Sequence, residues 1–171
     1  LPLFTDGNYY DRSMFWKRQL QKKIVEVIQE KSIDTIIVSG PPFHYIYYTL
    51  QLKDRYPHVK FIVDYRDEWT FNGVYGIDSI GEKRKMRETE KEKYVHEKAD
   101  IIISCQSLIL EYMIKKYNLN MYYLLSHAYD EDDFNFSFGQ NINNDKIIIT
   151  LYGNIEGNQS SFFKALNEFL N

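Results

Sequence analysis

Two clusters of polar residues, one at 39–42 and one at 64–69, hold the groups in this chain that could do chemistry. Ser39, Gly40, Pro41 and Pro42 follow the apolar pair Ile37-Val38, and Asp64, Arg66, Asp67 and Trp69 follow Phe61-Ile62-Val63. The first cluster could present a hydroxyl and backbone N–H groups to a ligand. It could equally be a plain strand-to-helix connection, since proline is tolerated at the first helical position. In the second cluster a carboxylate and a guanidinium could grip a polar ligand, with Trp69 as a stacking wall. Alternatively Arg66 and an aspartate pair with each other and stiffen the turn. Four histidines, His44, His58, His96 and His127, show no metal-ligand spacing. His44 and His127 each follow a strand end and could line a cleft, whereas His58 and His96 read as ordinary surface histidines. Cys105 has no histidine in a motif relation to it and reads as a small buried residue. There is no Gly-x-Gly-x-x-Gly, no Walker loop and no Gly-x-Ser-x-Gly elbow.

These groups need a frame that brings both turns to one place. Short β-branched runs at 35–39, 59–64 and 100–104 and an aromatic and aliphatic run at 121–126 predict strands, and 146–152 predicts a fifth. Between them lie helical patterns. Trp16, Leu20, Ile24, Val27 and Ile28 share one helix face, which Asp11 or Ser13 could cap. Phe43, Ile46, Tyr47 and Leu50 share another. Glu82–Lys98 is a charged helix with Met86, Tyr94 and Val95 as its apolar anchors, and its charges read as a solvated face. Further helices are predicted after Ser107 and over Ser160–Leu170, and 66–81 as a loop. Strands alternating with helices predict an α/β fold: a Rossmann-like parallel sheet with helices on both faces and right-handed crossovers. Ligands of such sheets bind at the carboxyl ends of the strands, so both polar clusters point to one cleft.

Composition narrows the function classes. A length of 171 residues suffices for one domain with a substantial core. A net charge of -3 gives no general electrostatic reason to bind nucleic acid or an anionic membrane. A single cysteine rules out an intrachain disulfide and suits a reducing compartment. No apolar run reaches the roughly 20 residues that span a bilayer.

With these residues in view, the chain resembles retaining glycosyltransferases of the GT-B fold, in the broad family 4 group. The resemblance rests on the Ser39-Gly40-Pro41-Pro42 turn and on Asp64-x-Arg66-Asp67-x-Trp69. It extends to Glu92 followed by Ala99-Asp100-Ile101-Ile102-Ile103-Ser104, to Tyr129-Asp130-Glu131-Asp132-Asp133-Phe134, to the strand and glycine turn at 146–153, and to Phe162-Phe163-Lys164-Ala165-Leu166. These segments are collinear with the family pattern over nearly the whole chain. His127-Ala128 replaces the family's Asn-Gly pair, which affects the tight turn there. The family's opening strand and glycine-rich loop, and most of its C-terminal domain, have no counterpart here.

The resemblance implies an acceptor-side Rossmann-like domain over 1–138, incomplete at its start, a linker at 139–145, and the first strand and helix of a donor-binding domain at 146–171. It implies sugar transfer from a nucleotide-sugar to a sugar or lipid-linked sugar acceptor, with retention at the anomeric carbon, in bacterial cell-surface polysaccharide synthesis. Arg66 and Asp67 would take the catalytic region, and Ser39, Gly40, Pro41, His44, Asp64 and Trp69 the substrate-binding surface. Gly153 would approach the donor diphosphate. No cofactor, metal or nucleic acid is implied. The expected location is cytoplasmic or peripheral to the inner face of the membrane. The 171-residue chain alone is expected to be inactive and to self-associate through truncated edges. A nucleotide-sugar epimerase of the same fold and a non-catalytic Rossmann-like binding module are the alternatives. A receiver-type phosphoacceptor domain is disfavoured, because its acidic pair and lysine have no place in this sequence.

Overall fold

β-Branched and aromatic residues pack well on a pleated surface, and three β-branched runs and one tyrosine-rich run of this chain pair into one parallel sheet. In the computed structural model, residues 9, 11–71, 76–117, 121–134 and 160–170 are described. Within them the elements are α1 (Lys17–Lys31), β1 (Thr35–Gly40), α2 (His44–Leu50), β2 (Lys60–Tyr65), α3 (Glu82–Lys98), β3 (Ile101–Ser104), α4 (Ser107–Tyr117), β4 (Tyr122–Leu124) and α5 (Ser160–Leu170), with short 3₁₀ turns at Ile77–Ser79 and Glu131–Phe134. The sheet order is β1-β2-β3-β4, every pair parallel. This is an α/β, Rossmann-like arrangement, as the alternation of patterns predicts. The expected strand at 146–152 and linker at 139–145 lie outside the described residues. The chain divides into two units, Leu1–Tyr129 and Asp130–Asn171. The sheet belongs to the first. The second contributes α5, whose Phe163 and Phe169 are exposed.

Period-2 alternation decides which strand residues are buried. Val38, Val63 and Ile102 lie side by side in the register, and all three are buried. Each such side chain contributes about 1.5–3 kcal/mol on leaving water. Helices α2, α3 and α4 touch in sequence, α2 against α3 and α3 against α4, and α2 and α4 also touch β1 and β3. The next row, Ile37, Ile62 and Ile101, faces the other way: Ile37 is 66% exposed and the other two are half-buried. Helix α1 packs on α2 and shares a groove of about 370 Å³ with β1.

Two local details fix the turn after β1. A Cβ on Gly40 would meet Ile46 Cδ1 at 2.5 Å and the Pro42 carbonyl oxygen at 3.2 Å, so a side chain there would have to push the end of the Ile46 side chain aside. Pro41 and Pro42 have no N–H, and both Gly40–Pro41 and Pro41–Pro42 are cis. The first donors at the start of α2 are therefore the N–H groups of Phe43 and His44. Both donate to Asp11 Oδ2, and the Tyr45 N–H donates to Ser13 Oγ at 2.9 Å. Asp11 and Ser13 thus cap α2, 32 to 33 residues away in sequence. The expectation that they cap α1 is corrected: α1 starts after Trp16 with no side-chain cap. The reason is accessibility. Asp11 is 4% exposed, and the buried donors of α2 need a partner more than the solvated start of α1 does.

Asp11→Ala removes the oxygen that accepts both of these bonds and should cost about 2–3 kcal/mol of unfolding free energy. Asp11→Asn, which retains one accepting oxygen, should cost less. Urea unfolding of the two variants checks this; an unchanged midpoint for Asp11→Ala would show that water satisfies the α2 donors.

Candidate functional site

The parallel register brings three strand ends into line. Gly40 sits beside Tyr65, and Tyr65 beside Ser104. The chain leaves all three strands at the same edge, and a cleft of about 560 Å³ opens there. Ser39, Gly40, Pro41, Arg66, Asp67, Gln106 and His127 line it. Both polar clusters thus meet at the carboxyl ends of the strands. Gln106 was not singled out by its sequence context. It reaches the cleft because β3 ends level with β2, at Ser104 beside Tyr65, and the chain bends at Cys105.

The backbone of Arg66 is held from both neighbours. Its N–H donates to the Gly40 carbonyl at 3.2 Å, and its carbonyl accepts from Gln106 Nε2 at 3.4 Å and from Cys105 Sγ at 3.5 Å. The Arg66 side chain itself is exposed and makes no ion pair among the described residues. Asp64 is half-buried and does not line the cleft; its Oδ2 accepts a 2.7 Å hydrogen bond from Ser39 Oγ. Ser39 therefore spends its hydroxyl proton inside the turn. The prospect that the Ser39–Pro42 turn offers N–H groups to a ligand is also corrected. Its prolines have none, and the next three donors are bound to Asp11 and Ser13.

Two predicted cleft residues lie in the core instead. His44 and Trp69 are each 1% exposed. Trp69 stacks on Phe43 at 5.4 Å between ring centroids, and its Nε1–H points at Tyr9 Oη at 3.0 Å and Glu88 Oε2 at 3.3 Å. It is therefore a floor beneath the loop and not a wall beside a ligand. His44 Nε2 lies 2.7 Å from Glu88 Oε2; since a carboxylate only accepts, the imidazole donates. Lys91 donates to Glu88 Oε1 at 2.6 Å and Tyr9 Oη to Oε2 at 3.2 Å. Burial raises the Glu88 carboxyl pKa, but hydrogen bonds and charge from His44, then from Lys91, outweigh it and bring it down to about 2. Gly153, the expected donor contact, lies outside the described residues.

Helix α3 also corrects a reading of the sequence. Its charges are not all solvated: Glu88, Glu92 and His96, at i, i+4 and i+8, form a buried face, while Met86 is 61% exposed. Glu92 accepts hydrogen bonds from Thr70 Oγ1, from Tyr117 Oη and, at 3.3 Å, from Lys116 Nζ. His96, expected at the surface, is stacked between Tyr65 at 5.3 Å and Tyr117 at 4.3 Å, and neither ring nitrogen has a partner among the described residues. Burial, reinforced by Lys116, holds its pKa down to about 3. The signal was the helical spacing of Glu88, Glu92 and His96 itself, masked because apolar periodicity is the usual marker of a buried face.

Among the described residues no group of three or more His, Cys, Asp or Glu could hold a metal ion, and no helix is long and apolar enough to cross a membrane. Compared with protein-family models, with curated proteins and with solved structures, the chain gives no match.

The buried groups set an acid limit on stability. From 6.5 down to about 3 the unfolded chain takes up a proton at His96 that the folded chain refuses, and from 4.5 down to about 2 the same holds at Glu88. Stability should therefore fall as the pH drops through this window, each group adding up to about 1.4 kcal/mol per pH unit. His96→Phe keeps the stacking and removes two unpartnered nitrogens. It should raise stability and flatten the curve between 6.5 and 4.5, leaving the steeper fall below. Denaturant midpoints measured across that range check both effects.

Proposed function

We propose that the cleft at the carboxyl edge of the sheet is the acceptor-binding half of a retaining glycosyltransferase. The observation that carries this reading is the convergence of Ser39, Gly40 and Pro41 with Arg66 and Asp67 in one open cleft. A sugar is a dense array of hydroxyls, and a cleft for it needs fixed acceptors and donors more than apolar walls. Asp67 supplies a carboxylate that accepts from hydroxyls, and Arg66, Gln106 and His127 supply side-chain nitrogens.

In the reaction proposed, the acceptor hydroxyl oxygen bonds to the anomeric carbon of the donor sugar. The bond from that carbon to the nucleotide diphosphate breaks, and the hydroxyl proton passes to the departing phosphate oxygen. Asp67 orients the acceptor hydroxyl, and Arg66 fixes the acceptor beside it. The pinned loop backbone keeps both side chains in register with the donor, which is where most of the rate advantage of an oriented bimolecular step arises. A cytoplasmic role in polysaccharide assembly, on free or lipid-linked sugars at the inner face of the membrane, accords with this chemistry.

The test is a transfer assay on the complete natural protein. A panel of UDP-, GDP- and ADP-sugars is offered with an extract of lipid-linked and free sugars, and products are identified by mass. A new glycosidic product is expected; a donor sugar that is only isomerised would point to epimerisation instead. Asp67→Asn should lower turnover about 10- to 100-fold, the worth of one hydrogen bond to a charged group, with an unchanged unfolding midpoint. Parent-level turnover in Asp67→Asn would remove Asp67 from the site.

A further inference from the structure

The donors available around the cleft are unevenly spent, and the imbalance says what kind of group can bind. Much of the nearby backbone is already committed. Pro41 and Pro42 lack N–H groups, those of residues 43 to 45 are bound to Asp11 and Ser13, and that of Arg66 is bound to Gly40. The Ser39 hydroxyl is committed to Asp64. Gln106 spends one of its two amide hydrogens on the Arg66 carbonyl. Among the described side chains that line the cleft, the remaining nitrogen donors are the guanidinium of Arg66, the second amide hydrogen of Gln106 and the imidazole of His127.

A guanidinium has five N–H donors in a planar fork, which fits a carboxylate or a phosphate two bonds at a time. Because the Arg66 backbone is clamped on both sides, and because Trp69 and Thr70 anchor the loop that follows to Glu88 and Glu92, the fork is aimed from a fixed base. Less entropy is then lost when it closes on a ligand. Asp67, in the same cleft, carries a carboxylate whose oxygens accept hydrogen bonds from hydroxyls. The chemistry selected is a sugar that bears one anionic group at one end and free hydroxyls at the other.

We propose that the ligand of this cleft is an anionic sugar, carrying a phosphate ester or a carboxylate that Arg66 holds with His127 and Gln106, while Asp67 accepts from its hydroxyls. This rests on the reading of the cleft as an acceptor site and names the acceptor's class. A phosphate would place the acceptor among sugar phosphates and lipid-linked sugar phosphates, and a carboxylate among uronic acids.

The experiment titrates glucose 1-phosphate, glucuronate and glucose separately into the full chain, followed by calorimetry and by the Nε–H signal of Arg66 in NMR. At least one anionic sugar should bind about tenfold or more tighter than glucose and shift that signal, the factor expected of one charge-assisted contact. Comparing the two anions separates phosphate from carboxylate. Arg66→Ala should erase the preference, and Arg66→Lys should retain part of it, since an ammonium supplies the charge without the fork. Equal binding of glucose and both anions, an undiminished preference in Arg66→Ala, or no binding of any of the three overturns the proposal. Failure of the functional reading looks different. Arg66-dependent anionic binding without any sugar transfer by the complete protein would leave this site standing and remove the transferase. Transfer to a neutral acceptor with an unchanged KM in Arg66→Ala would do the reverse.

Discussion

A buried carboxylate with four donors holds the rest of this structure in place. Glu88 is 3% exposed and receives His44 from α2, Lys91 from its own helix, Tyr9 from the N-terminal segment and Trp69 from the loop after β2. A lone ionised carboxylate in such a position would cost far more than a small domain's stability margin, so it persists only while its partners are present. The dependence runs both ways. Burial and the charge of Glu88 push the Tyr9 hydroxyl pKa well up, which keeps Tyr9 a proton donor at every ordinary pH. Remove any one partner and the others are left against an under-compensated charge. Four segments distant in sequence are therefore coupled through one side chain.

That coupling reaches the cleft through Trp69 and Thr70. The loop leaves β2 at Tyr65, exposes Arg66 and Asp67, and then dives: Trp69 goes under Phe43 to Glu88, and Thr70 goes to Glu92 one helical turn further along α3. The two glutamates, at i and i+4, act as two pegs on one face. The cleft residues lie between a strand end and these pegs, so the exposed part of the loop is only a few residues long. Side chains that must meet a ligand stay solvated while the backbone beneath them is fixed from below. On the facing side Asp11 does the same for the turn after β1, by consuming the donors that would otherwise be free at the start of α2.

The sheet was legible in the sequence because its signal is local. β-Branched runs at 35–39 and 59–64 become β1 and β2 to within a residue, and α3 and α5 have the bounds their patterns predict. Parallel pairing followed from alternation with helices, and with it the meeting of Arg66 and Asp67 with Ser39, Gly40 and Pro41. What the sequence hid is which polar side chains face inward. Trp69, two positions after Asp67, reads as part of the same exposed motif, yet the loop turns between them. His44 follows two prolines as a cleft residue would, yet helical phase carries it under α3. His96 sits in a run of charges of which most are wet, and only Glu88 and Glu92 share its buried face. In each case burial is decided by a partner dozens of residues away, Glu88 or the Tyr65–Tyr117 pair, and no local periodicity encodes that partner.

The same asymmetry explains why the cleft carries its chemistry on side chains. Many α/β sites bind anions with the N–H groups of a helix start, where the donors come free with the fold. Here two prolines precede α2 and Asp11 takes its first donors, so that route is closed from within. A protein that recognised only neutral ligands at this edge would need no replacement for those donors. On the reading proposed above, the Arg66 guanidinium, on a backbone bonded to the end of β1 and to the turn after β3, supplies from a single side chain the anion-binding donors that the helix start has given up to the core. Moving that capacity from main chain to side chain also makes it separable by mutation. The fold should tolerate loss of the guanidinium at 66, whereas loss of the carboxylate at 11 or 88 should destabilise it, so recognition and stability are assigned to different residues.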